Sequence, residues 1–89
     1  MKRTEIITKI KKVKPTYFEA NSFFGQKMED FKKIDDIDFL YAPSYFNREF
    51  MGYSYCGFDS SGEFLSGGIS KDEINTDNNI IEIIKERIK

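Results

Sequence analysis

The chain has 89 residues, 39% hydrophobic, 33% charged and 16% aromatic, which suits one small folded domain spanning 1–89 and excludes both a second core and a disordered chain. Its formal charge of -1 joins a basic opening, where Lys2, Arg3, Lys9, Lys11, Lys12 and Lys14 are offset only by Glu5, to an acidic body from Pro15 to Asp77. One cysteine and no histidine exclude an internal disulfide framework and a four-ligand Cys/His metal centre, and they remove the commonest general base.

From Arg3 to Val13 the apolar positions Ile6, Ile7, Ile10 and Val13 recur at helical spacing, and Pro15 restricts Lys14 and ends the pattern. So short a helix is marginal alone, so its isoleucine stripe needs a sheet or partner to rest on. Thr8 and Lys9 interrupt the isoleucines after Lys2 and Arg3, so no secretory apolar region forms, and no apolar run is long enough for a bilayer. A cytoplasmic protein with no membrane partner is expected.

Tyr17 and Phe18 suit extended chain, whereas Phe24, Met28 and Phe31 fall at i, i+4, i+7 and predict a second helix from about Ser22 to Lys33, N-capped by Ser22 but weakened by Gly25. Ile37 to Ala42 alternates as a strand that Pro43 stops. A linker, Pro43 to Asn47, leads to a long strand over Arg48 to Phe58 and a shorter one over Glu63 to Ile69.

The four residues Asp59-Ser60-Ser61-Gly62 set the register of that hairpin, since aspartate suits the first position of a type I turn and glycine the fourth, where a left-handed residue makes the bulge. Phe58 then opposes Phe64, Tyr55 opposes Gly67 and Tyr53 opposes Ile69. One face collects Met51, Tyr53, Tyr55, Leu65 and Ile69, and is assigned to the core. The other collects Gly52, Ser54, Cys56, Ser66, Gly68 and Ser70, with Phe58 and Phe64 near the turn, and is assigned to an open, nearly flat strip.

Ser70 to Glu73 has the form of a capping box that opens one turn. Asn75 to Asn79 punctuates, and Ile80, Ile81, Ile84 and Ile88 line a final helix with Lys85, Arg87 and Lys89 in its last turn; the β-branched run also allows a strand. The expected fold is α+β, in the order α-α-β-β-β-α, with a three-stranded antiparallel sheet covered on one face by helices.

The chemistry these residues permit is narrow. Cys56 has no base and reads as a small strand residue. The acidic run Glu29, Asp30, Asp35, Asp36 and Asp38 is interleaved with Lys27, Lys32 and Lys33 and reads as a solvated surface before it reads as a Mg²⁺ or acid–base site. The Gly67-Gly68 pair lacks the spacing and the lysine of a phosphate loop. No catalytic, cofactor or metal residue is therefore assigned, and a non-enzymatic protein is expected.

Aromatic crowding carries more information: Phe39, Tyr41, Tyr45, Phe46, Phe50, Tyr53, Tyr55 and Phe58 share one short stretch with a single cation, Arg48. Tyrosine, phenylalanine and arginine are enriched at protein interfaces, so Tyr45, Phe46, Arg48, Phe50, Phe58 and Phe64 are the expected protein-binding residues. The alternative is a nucleic-acid binder using Lys9, Lys11 and Lys12 of the first helix, although net acidity elsewhere weakens the counterion-release term. A homodimer through the strip or a free strand edge is a third option. No family resemblance is apparent. The bias toward Ile, Lys, Asn and Phe in so small a chain matches accessory proteins of AT-rich bacterial genomes and their phages or mobile elements, including inhibitors of host defence such as anti-CRISPR proteins.

Overall fold

The computed structural model describes residues 1–74 and 79–88. Helix α1 spans Arg3–Val13, as its isoleucine spacing requires, and buries Ile6, Ile7 and Ile10. Arg3, counted among the basic residues, is structural: its Nε donates to the Phe31 carbonyl at 2.7 Å and its Nη2 to the Met28 carbonyl at 2.8 Å.

The expected helix over Ser22 to Lys33 does not form. A short helix α2, Tyr17–Asn21, continues into a 3₁₀ turn, Ser22–Phe24, and stops at Gly25, whose φ of 69° is the left-handed conformation that ends helices. Ser22 is not an N-cap; its Oγ donates back to the Glu19 carbonyl at 2.6 Å. A second 3₁₀ turn, Met28–Asp30, precedes a two-residue strand β1, Lys32–Lys33.

Three longer strands follow, β2 (Phe39–Phe46), β3 (Glu49–Phe58) and β4 (Phe64–Ser70), and the antiparallel order is β1-β2-β3-β4, four strands among the described residues where three were expected. Pro43 does not stop β2. It sits inside the strand opposite Tyr53. The expected linker is thus the end of β2 plus a two-residue turn, in which Asn47 and Arg48 take φ of 50° and 66°. That pair of positive values is what a tight hairpin of right-handed twist requires. The β3–β4 register is the expected one, with Phe58 opposite Phe64, Tyr55 opposite Gly67 and Tyr53 opposite Ile69. Asp59 builds the turn: its Oδ1 accepts from Ser61 N, Ser61 Oγ and Glu63 N.

Ser70 and Glu73 form the expected capping box around a 3₁₀ turn, Lys71–Glu73, and helix α3 runs over Ile80–Arg87 with Asn79 as N-cap, which removes the strand alternative. The expected punctuation at residues 75–78, and Lys89, lie outside the described residues.

Helices do not share one face of the sheet. Ile6, Ile7 and Ile10 pack with Phe31, Leu40, Ala42, Cys56 and Phe58, whereas Ile84 packs with Ile34, Phe39, Tyr55 and Ile69. Alternate residues of a strand point to opposite faces, so α1 lies on the Cys56 face and α3 on the Tyr55 face. Two small cores result, and each fully buried isoleucine contributes about 1.5–3 kcal/mol.

Candidate functional site

The strip of small residues is divided by that packing. Cys56 is fully buried beneath α1, and burial pushes its thiol up to about 12, with the Tyr17 hydroxyl as its polar neighbour. Desolvation raises Tyr17 as well. Both groups stay protonated in neutral water, so neither supplies a nucleophile or base. The remaining half of the strip is open: Ser66, Gly68 and Ser70 are exposed, and with Ser44 and Ser54 they floor a shallow depression of about 400 Å³ rimmed by Tyr17, Asn21, Phe24 and Met51.

Beside it, the tip of the β2–β3 hairpin and the 3₁₀ turn Ser22–Phe24 together carry most of the exposed large apolar side chains among the described residues. Phe23 is 71% exposed, and Phe24, Tyr45, Phe46, Phe50 and Met51 are each 37–48% exposed. Their rings form two separate clusters, one on each face of the hairpin. Phe23 meets Phe24 edge-on at 5.3 Å between ring centroids and Phe46 at 6.2 Å; on the other face Tyr45 meets Phe50 at 6.0 Å, and Phe50 meets Tyr53 at 5.4 Å. A bulge places the aromatics on both sides of the tip, because the register shifts between Ser44 and Tyr45 and leaves Met51 without a partner. Gly52 follows the bulge with φ of 135°, and a Cβ there would lie 1.9 Å from the Ile69 carbonyl oxygen.

Four of the six expected binding residues, Tyr45, Phe46, Arg48 and Phe50, therefore gather at this tip. Phe58 and Phe64 do not join them. They sit at the opposite end of the sheet, where Phe58 is buried beneath Lys9, whose ammonium stands 4.4 Å from the ring centroid, and Phe64 packs on Phe58 and Tyr17. Lys11 and Lys12 are exposed on α1, while Lys9 is half-buried.

Phe23 and Phe24 were hidden from sequence reasoning because Phe24, Met28 and Phe31 mimic a helical stripe. The available signal was Gly25 directly after the aromatic pair: a helix that ends there leaves both rings at a corner. Three members of the acidic run are taken up in structure. Asp30 accepts from Lys27 N, Asp36 pairs with Lys85 at 2.8 Å, and Asp38 pairs with the Met1 amino group at 2.7 Å. Among the described residues no group of three His, Cys, Asp or Glu side chains is placed to hold a metal ion, and no helix is long and apolar enough to cross a membrane.

No protein-family model, curated protein or solved structure matches the chain.

Proposed function

We propose that this chain is a non-enzymatic protein that binds another protein through the aromatic tip of the β2–β3 hairpin, and acts as an accessory or inhibitor by covering part of its partner's surface. The observation that carries this reading is the joined exposure of Phe23, Phe24 and Phe46 on one face of the Asn47-Arg48 turn, with Tyr45 and Phe50 exposed together on the other. Contiguous exposed aromatics cost solubility and mark interaction surfaces, whereas scattered ones do not. Arg48 adds a cation at the centre, and aromatic and arginine anchors dominate binding energy at interfaces. The adjoining depression has a floor of serine and glycine that admits a partner's side chain without a steric barrier.

The test is a pull-down from the native cell followed by titration of the captured protein against Phe23→Ser/Phe46→Ser. The expected result is a loss of at least about tenfold in affinity, the cost of one or two aromatic anchors, with only a small change in thermal stability because Phe23 is 71% and Phe46 48% exposed. Retained affinity would overturn the reading. So would capture of nucleic acid that weakens steeply with salt and is lost on changing Lys9, Lys11 and Lys12 to Glu.

A further inference from the structure

The two edges of the sheet are treated differently. On the β2 side, β1 pairs Lys32 and Lys33 with Tyr41 and Leu40, and the buried Gln26 donates its Nε2 to the carbonyls of Ala42 (3.0 Å) and Pro43 (3.1 Å). Proline itself offers no amide. On the other side β4 has no strand partner among the described residues, and it carries none of the usual protections: no proline, no charge and no bulge over Phe64–Ser70. The antiparallel pattern turns the amides and carbonyls of Leu65, Gly67 and Ile69 toward β3, so those of Phe64, Ser66 and Gly68 face outward. Ser70 N is the exception that confirms the direction, since it donates to Glu73 Oε2 at 2.9 Å.

We infer that β4 is a dimerisation edge, on which a second copy of this chain adds its own β4 antiparallel about a two-fold axis at Gly67. Charge and register select this occupant. Pairing centred on Gly67 overlaps the whole strand, sets Ser66 opposite Gly68 so that their outward amides and carbonyls exchange hydrogen bonds, and sets Leu65 opposite Ile69. At both ends it brings the exposed Glu63 of one copy, just before β4, beside Lys71 of the other, just after it, whose ammonium in the single chain rests on the exposed Glu49 at 3.1 Å and exchanges that surface partner in the dimer. Moving the pairing by one register in one direction sets Glu63 against Glu73 and Leu65 against Lys71; in the other direction neither charge finds its opposite. Like charges directly opposed across strands are destabilising, so the central register is the favoured one.

The axis position is also built for close approach. A Cβ on Gly67 would lie 2.5 Å from the Tyr55 hydroxyl, so the buried tyrosine ring already covers that glycine on the α3 face and no side chain stands at the axis. This contact lies apart from the aromatic tip and stands independently of the function proposed above.

Sedimentation velocity over a hundredfold concentration range tests it. The expected result is a reversible monomer–dimer equilibrium. Gly68→Pro removes an outward amide that β3 does not use, at a site where the nearest atom to an added Cβ is 3.7 Å away, and leaves a monomer with native circular dichroism. Glu63→Lys weakens the dimer by about tenfold, as two cross-strand pairs turn repulsive, and adding Lys71→Glu restores it. A monomer at every concentration, including one that takes up only foreign peptides on this edge, would overturn the inference. A dimer indifferent to both Gly68→Pro and the charge swap would do so equally.

Discussion

Replacing Arg48 with glycine should make the protein more stable. Arg48 is the second residue of the two-residue turn and holds φ at 66°, while the preceding Asn47 holds 50°. A left-handed backbone costs a residue with a Cβ about 1–2 kcal/mol, whereas asparagine tolerates it through local hydrogen bonding. Glycine removes that cost but returns about 0.4–1 kcal/mol through the greater freedom of the unfolded chain. The net gain is about 0.5–1 kcal/mol, since no hydrogen bond or ion pair of the Arg48 side chain is lost among the described residues. In a domain of this size that raises the melting temperature by about 2–8 °C. Thermal melts by circular dichroism at two protein concentrations measure it, with Asn47→Gly as the control that shifts little. A melting temperature for Arg48→Gly equal to or below that of the parent would refute the strain argument. The variant also asks why an arginine occupies the second turn position, where Asn-Gly is the favoured pair. Strained residues persist where function holds them, so Arg48→Gly is expected to gain stability and lose partner affinity together.

Gly52→Ala should destabilise the fold by about 3 kcal/mol or more, because its Cβ would overlap the Ile69 carbonyl oxygen in a backbone already at φ 135°; urea titration reads this, and a stable Gly52→Ala would show that the β3–β4 register differs. Stability should also fall on acidification. Asp59 is held below the ordinary carboxylate range by Ser61 and the turn amides, and Asp36 by Lys85. Groups lowered in the folded state stabilise it above their unfolded value, so melting temperature is flat from neutral to about pH 5 and drops below about pH 4. Asp59→Asn flattens that drop, and salt weakens the Asp36 part more than the Asp59 part, which rests on hydrogen bonds inside one turn.

The elements that local chemistry specifies were legible. Helix α1 follows from four apolar positions and a proline, the Asp59 turn from one aspartate and one glycine, the Ser70 cap from a serine and a glutamate. The segment from Ser22 to Lys33 was not, because an apolar stripe at i, i+4, i+7 arises equally when separate turns each bury one residue. Phe31 is buried and Met28 half-buried, yet Gly25 and two 3₁₀ turns lie among them. Pro43 misled in a related way: proline is excluded where the ladder needs its amide, and at this position in β2 the outward group is a carbonyl, which Gln26 satisfies.

The candidate site turned on a deeper ambiguity. A stripe of glycine, serine and cysteine on a sheet is compatible both with an open platform and with a seat for a closely approaching helix. Which of the two forms depends on the residues beside it. At the Cys56 end, Leu40, Ala42 and Phe58 surround the small side chain with apolar area, and the isoleucines of α1 gain more by covering it than water does by reaching it. At the Ser70 end, Ser44, Ser54 and Ser66 offer hydroxyls that a helix would strip of water without replacing the hydrogen bonds, so the chain passes by and leaves a depression. The stripe is thus one feature in sequence and two in space, and the half that stays open lies against the aromatic tip.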